Sequence, residues 1–202
     1  MRLLGYRELP GWFDWEWLYA EWAQSCCATA VFVEVGVYLG RSLAFMCEQL
    51  EDKPRVQVWG VDNWAVDQVG TIPHWEGWGG DAWHEMAGNP REECIRIGGP
   101  FNSFTTRMHD AAPEALERSF LLRMQSARAA RVFDDASVDF VYIDAEHKYD
   151  SVRADIHAWL PKVRPGGKIA GHDYGMADVS RAVHETFGES IALAGATWVK
   201  QL

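Results

Sequence analysis

Residues 31–42, VFVEVGVYLGRS, constrain the fold more than any other stretch. Val31–Val35 is a short β-branched run, which suits a strand buried on both faces of a parallel sheet. Gly36 and Gly40 follow at once, and they let the backbone turn tightly and come close to a ligand with no Cβ in the way. A helix over Arg41–Leu50 then presents free N–H groups at its start. Strand, glycine turn and helix in this order commit the chain to a β-α-β architecture. The two glycines do not complete G-x-G-x-x-G, so a dinucleotide pyrophosphate is not the natural guest, and a dehydrogenase is a weaker reading.

The pattern repeats downstream. Val56–Val61 reads as a second strand ending at Asp62, an acid able to accept both hydroxyls of a ribose. Phe120–Met124 reads as a third strand, followed by a helix over Ser126–Phe133. VDFVYI, residues 138–143, is a fourth strand that ends at Asp144. Tyr149–Leu160 has Tyr149, Val152, Ile156 and Trp159 on one face, as an amphipathic helix requires. Pro161 and Pro165–Gly167 stop it. Lys168–Gly171 leads a fifth strand into His172 and Asp173. A helix over Asp178–Phe187 and a hairpin of Ser190–Ala194 with Thr197–Gln201 close the chain. Alternating strands and helices imply a parallel sheet with right-handed crossovers, and the tight hairpin requires one antiparallel strand in it. Ligands then sit at the carboxyl ends of the strands.

At the other end, Asp14–Ser25 predicts a helix capped by Asp14. Of eleven tryptophans, Trp12, Trp15, Trp17 and Trp22 crowd this segment and are expected to pack. Asn63–Pro90 is a long glycine- and aromatic-rich insertion, the expected substrate lid, with Trp75, Trp78, Trp83, His74 and His84 as candidate contacts. Arg91–Asp110 is expected to be helical in part, with a break near Gly98–Pro100.

The second-strand motif VWGVDNW and the block DFVYIDAEHKYDSVRADIHAWLPKVRPGGKIAGHDY join VEVGVYLGRS in a specific resemblance. The chain resembles the class I S-adenosylmethionine (SAM) dependent methyltransferases, of the small-molecule O-methyltransferase kind that includes catechol-type and macrolide-sugar-type enzymes. The resemblance implies one domain over 1–202, with a Rossmann-like α/β sheet in the order 3-2-1-4-5-7-6. Strand 7 would be antiparallel and helices would cover both faces. It implies that Glu34, Gly36, Tyr38, Gly40 and Ser42 surround the methionyl part of SAM, that Asp62 holds the ribose beside Asn63 and Trp64, and that Gln125 and Ser126 border the adenine.

Asp144, His147, His172 and Asp173 all follow strands 4 and 5, and neighbouring parallel strands bring these loops together. The resemblance implies Mg²⁺ held by Asp144, His172 and Asp173, with Asp144 also beside the cofactor. His172 departs from the usual acid, and its imidazole admits Mn²⁺, Fe²⁺ or Zn²⁺ as well. His147 is the candidate base, because an imidazole near its ordinary pKa takes a hydroxyl proton at neutral pH. His147 and Asp144 are therefore the expected catalytic pair. The reaction expected is O-methylation of a sugar, phenol or natural-product hydroxyl. N-methylation, SAM cleavage and a non-catalytic SAM-fold partner are the alternatives.

The net charge of −10 argues against a nucleic-acid partner. Residues 1–12 have no apolar core of the kind a leader needs and no run of roughly 18 apolar residues occurs, so neither a leader nor a membrane partner is expected. Cys26, Cys27, Cys47 and Cys94 match neither a zinc site nor a disulfide framework, which fits reduced thiols in the cytoplasm. Exposed N-terminal aromatics would suit a homo-oligomer.

Overall fold

The computed structural model describes residues 5–65 and 98–202. Its elements are α1 (Glu16–Ser25), β1 (Val31–Val35), α2 (Arg41–Gln49), β2 (Gln57–Asp62), α3 (Pro100–Ala111), α4 (Pro113–Arg118), β3 (Phe120–Arg123), α5 (Ser126–Ala129), β4 (Val138–Ile143), α6 (Tyr149–Trp159), β5 (Val163–Gly171), α7 (Ala177–Phe187), β6 (Ala192–Ala194) and β7 (Thr197–Gln201). The strands form a seven-stranded sheet in the order β3-β2-β1-β4-β5-β7-β6. All pairings are parallel except those of β7 with β5 and with β6. Order and direction are those expected for a class I methyltransferase sheet.

Strand periodicity assigns the side chains to two cores. In β1 and β4, Phe32, Phe140 and Tyr142 join Tyr19, Trp22, Leu43 and Phe104 on the face covered by α1, α2 and α3. The alternate residues Val33, Val35, Val141 and Ile143 join Ile156, Trp159, Val179 and Val183 on the face covered by α6 and α7. Every residue of β4 is buried, which is why its sequence is a near-continuous apolar run. Glu34 shares the parity of Phe32, so the alternation drives a carboxylate into the first core. No helix among the described residues is long and apolar enough to cross a membrane.

Three local expectations are corrected. α1 begins at Glu16, with Trp15 at the N-cap position and no side-chain cap. Trp15 is buried, stacked on Tyr142 at 5.0 Å, and this burial fixes how the chain enters the helix. Asp14 is thereby turned away and instead accepts from His172 Nε2 at 2.9 Å. Second, β5 starts at Val163 rather than Lys168. Val138 pairs with Val163, whereas Phe140 already pairs with Lys168, so Arg164–Gly167 bulge out of the ladder. The proline and glycines read as a stop are accommodated inside the strand as a bulge. Third, α5 is a single turn that continues as a 3-10 turn over Ala130–Val132, short of the longer helix expected.

Trp15 and Trp22 pack as expected, while Trp12 and Trp17 are exposed. Of the expected lid, 63–90, only Asn63–Ala65 fall within the described residues; the five candidate aromatic and histidine contacts lie outside them.

Candidate functional site

The strand ends carry a cleft of about 150 Å³ between the glycine turn and the N-terminal segment. Gly36, Tyr38 and Ser42 of the turn and helix start line it together with Pro10, Gly11 and Trp15 of the N-terminal segment and Asp144 from the end of β4. Gly36 N donates to Val61 O at 2.8 Å, and Asp144 N donates to Val35 O at 2.7 Å. These bonds carry the ladders of β1 just past its end. A Cβ at Gly36 would run into the Asp144 carbonyl, and its φ of +92° is left-handed. Gly40 shares that φ, and a side chain there would meet Met108 and Phe104. Both positions therefore require glycine.

Around this turn the polar groups are spent on the chain itself. Asp62 Oδ2 accepts from the N–H groups of Val37 and Tyr38, both at 3.0 Å, and Oδ1 accepts from Trp64 N at 2.8 Å. Burial nevertheless pushes its carboxyl above the ordinary value, against those backbone bonds. The acid expected at a ribose is first of all a clasp that shapes the glycine turn, with lone pairs left over for a ligand. Glu34 is fully buried beneath the turn. Ser42 Oγ donates to its Oε1 at 2.7 Å and Tyr19 OH to its Oε2 at 3.0 Å. Burial pushes the Glu34 carboxyl up to about 8. Glu34 thus supports the cleft from behind, and Ser42 is the member of the pair that reaches it.

Trp64 sits beside Asp62, but its ring is buried against Phe104 and Phe101, at 4.8 and 5.1 Å. Its Nε1 donates to Tyr38 O at 2.9 Å. The residue expected beside a ribose therefore braces the turn from α3. Asn63 Oδ1 accepts from Ala65 N at 3.0 Å. Gln125 is exposed just before α5. Ser126 Oγ accepts from Trp159 Nε1 at 2.9 Å and is bonded to buried Asp155, whose burial pushes its carboxyl up to about 6. Tyr38, Trp64 and Asp173 all hold left-handed backbone, with φ of 51°, 42° and 57°. Such strain is held only where the surroundings over-determine it, and three of the four described non-glycine residues that show it follow the carboxyl ends of strands, the fourth being Ala136 before β4.

At the ends of β4 and β5 the structure brings together Asp144, His147 and Asp173, whose ligand-type atoms all lie within 4.8 Å of one another. His147 Nε2 lies 2.8 Å from Asp173 Oδ2 and 3.8 Å from Asp144 Oδ1. This nitrogen is buried, yet its N–H is aligned on neither oxygen. The contacts are ion pairs rather than formed hydrogen bonds. The carboxylates of Asp144 and Asp173 push His147 up to about 10. Burial opposes it, but His147 and then His172 hold Asp173 well below the usual carboxylate range. At neutral pH His147 therefore keeps its proton between the two carboxylates, and accepting one requires another cation in that place. His172, expected in this group, is turned so that Nε2 meets Asp14, while its Nδ1 lies 3.4 Å from Asp173 Oδ1.

Two carboxylates and an imidazole with an unaligned buried nitrogen suit a divalent cation. The oxygens satisfy Mg²⁺ or Mn²⁺, and the imidazole favours Mn²⁺, Fe²⁺ or Zn²⁺.

Sequence reasoning gave Asp14 only as a helix cap, and it did not assign Tyr19, Arg41 or Pro10–Gly11 to the site. Tyr19 was legible only as a helix-face aromatic; nothing in the linear sequence joins it to Glu34.

Comparison with known proteins agrees with this fold. The uncharacterized protein y4gI of Sinorhizobium fredii is 24% identical over 162 residues, covering 80% of this chain. The chain spans about 15% of the length of that curated relative. The structure of the O-methyltransferase NovP is similar at a TM-score of 0.62 and 18% identity, with 92% of this chain and 78% of that one covered. MycE, a methyltransferase from the mycinamycin biosynthetic pathway solved in complex with Mg and SAH (S-adenosylhomocysteine), is similar at a TM-score of 0.52 and 14% identity, with 93% and 48% covered. These likenesses are of fold. A family model described as a methyltransferase domain matches residues 33–174, which include the glycine turn, Asp62 and the whole Asp144–Asp173 cluster, and the chain belongs to that methyltransferase family.

Proposed function

We propose that this protein is a SAM-dependent methyltransferase that transfers the methyl group to a hydroxyl of a small molecule, assisted by a divalent metal. One observation carries the reading: Asp144 lines the cleft together with the glycine turn, and Asp144 also belongs to the charged cluster with His147 and Asp173. A cofactor cleft and an acid-base group thus share one residue. MycE, similar in fold, was solved with Mg and SAH, which supports but does not transfer the metal.

In this reading Gly36, Tyr38, Gly40 and Ser42 receive the methionyl end, Asp62 and Asn63 the ribose, and Gln125 and Ser126 the adenine edge. Glu34 and Trp64 act by holding those residues in place. Asp144, His147 and Asp173 would hold the metal, which supplies Lewis acidity that lowers the pKa of a bound hydroxyl. Asp144 lies nearest the cleft and takes the hydroxyl proton. The oxygen forms its bond to the methyl carbon as the carbon–sulfur bond breaks, and SAH leaves. The chain contributes chiefly position and exclusion of water. The acceptor is a small molecule rather than nucleic acid, since a net charge of −10 repels phosphate. The cytoplasm, where Cys26, Cys27 and Cys47 stay reduced, is the proposed location.

Calorimetry with SAH and with NAD tests the cofactor. Binding of SAH and not NAD is expected, and the reverse sinks the reading. Methyl transfer to a panel of sugar and phenolic hydroxyls, with Mn²⁺, with Mg²⁺ and with EDTA, tests the rest. Transfer that EDTA leaves untouched removes the metal from the proposal.

A further inference from the structure

The cleft is lined by one cationic side chain among the described residues, Arg41, and by one carboxylate, Asp144. A wall with one charge of each sign is complementary to a zwitterion, and the amino-acid end of SAM is one. Arg41 is the first residue of α2, so the positive end of that helix adjoins the same place. Its neighbour Ser42 lines the cleft as well, so the cation sits beside the residues proposed for the methionyl end.

The guanidinium is only partly used. Arg41 Nη1 donates to Gly11 O at 2.9 Å, which ties the N-terminal segment to α2. Arg41 Nε is buried and has no hydrogen-bond partner among the described residues. A buried donor left unpaired is costly, and its presence calls for a partner. In a guanidinium, Nε–H and the adjacent Nη2–H form a planar fork that matches the two oxygens of a carboxylate.

We propose that Arg41 is the carboxylate-recognition residue of the cofactor cleft: its Nε–Nη2 edge receives the carboxylate of the methionyl end while Nη1 keeps Gly11 in place. This rests on the SAM reading above. Arg41 then makes the cleft selective for ligands that carry an α-carboxylate, and the bond to Gly11 couples that selectivity to the wall formed by Pro10, Gly11 and Trp15.

The test is calorimetric titration of wild type, R41M and R41K with two ligands, SAH and its decarboxylated analogue, which keeps the adenosine and the amine. Wild type is expected to prefer SAH by about tenfold or more, as a charge-assisted bidentate contact would give. R41M is expected to lose most of that preference by weakening SAH, with the analogue within about twofold of its wild-type affinity. R41K is expected to fall between, because an ammonium restores the charge but not the fork. Equal weakening of both ligands by R41M would mean that Arg41 only fastens the N-terminal segment, and overturns the proposal. Unchanged SAH affinity overturns it too. Should R41M fail to fold, the preference ratio of R41K against wild type decides, an unchanged ratio counting against Arg41. Wild type that binds neither ligand overturns the SAM reading itself, whereas wild type that binds both equally overturns only the role of Arg41.

Discussion

At the ends of β1 and β2, Asp62, Glu34 and Ser42 spend hydrogen bonds on the chain itself. At the ends of β4 and β5, Asp144, His147 and Asp173 face one another without a single aligned hydrogen bond from His147 Nε2. The first region is finished before any ligand arrives. Its shape is stored in two glycines, a carboxylate clasp and a buried acid. The second holds two acids and one imidazolium in a geometry that protein groups alone do not complete. Preorganisation costs little where a ligand must only be received. In the proposed reaction a proton must move at the second region, and the mismatch at His147 leaves charge available for that step.

The harshest way to break the finished region is Gly36→Ala. The new Cβ meets the Asp144 carbonyl in a left-handed backbone, so a loss on the order of 3 kcal/mol or outright misfolding is expected. Chemical denaturation measures it, and a variant as stable as wild type would show the turn to be pliable. In the unfinished region, Asp173→Asn should preserve the fold, because Asn tolerates the left-handed φ of 57° found there. It should cut methyl transfer by about 100-fold or more while SAH affinity changes little. Loss of SAH binding instead would merge the two regions into one.

A sharper comparison sets the two histidines against each other. His147→Gln should weaken Mn²⁺ binding by about tenfold or more, whereas His172→Gln should leave it nearly unchanged, since His172 Nε2 is committed to Asp14. The opposite ranking, in calorimetry or Mn²⁺ electron paramagnetic resonance, would return His172 to the cluster.

The buried acid predicts a pH dependence. Glu34 rises from its usual 4.5 to about 8 in the fold. Between these values the folded chain keeps a proton that the unfolded chain has lost. The contribution of Glu34 to stability is therefore full below about pH 4.5 and is lost as the pH rises through about 8. Glu34→Gln removes that term, so its melting temperature should gain on wild type as pH goes from 5 to about 9. A constant difference between the two proteins across that range would mean that Glu34 is charged at neutral pH. The smallest effect is reserved for the exposed partner of His172. Asp14→Asn should cost less than about 1 kcal/mol, the scale of a solvent-exposed ion pair, and leave metal binding alone.

Much of the fold was legible because it follows from periodicity. The apolar run of β4, the alternation in β1 and the hairpin at Gly195–Ala196 each depend on neighbours in sequence, and they give a parallel sheet with one antiparallel strand; the order of the strands was implied by the family resemblance. The strand-end acids were legible for the same reason, since every parallel strand delivers its next residue to one edge. Which of them meet was not legible. His147 and His172 stand at equally plausible places in the sequence. The burial of Trp15 against Tyr142 carries Asp14 to His172, and the left-handed backbone at Asp173 directs its carboxylate to His147. Likewise Asp62 could be read as a strand-end acid, but not as a clasp on Val37 and Tyr38, because that depends on how two loops approach in space.

The amino-acid sequence by itself determined the β-α-β order, the glycine turn that needs two residues without a Cβ, and the edge of the sheet to which the chemistry belongs. Those are consequences of local backbone preference and of a period of two, both of which act along the chain. Only the tertiary structure decided that Glu34 and Trp64 support rather than line the cleft, that His147 rather than His172 reaches both Asp144 and Asp173, and that Arg41 reaches Gly11 with its Nε left over. Each of these depends on long-range packing between segments far apart in sequence, where burial and hydrogen-bond geometry, not residue type, choose the partner.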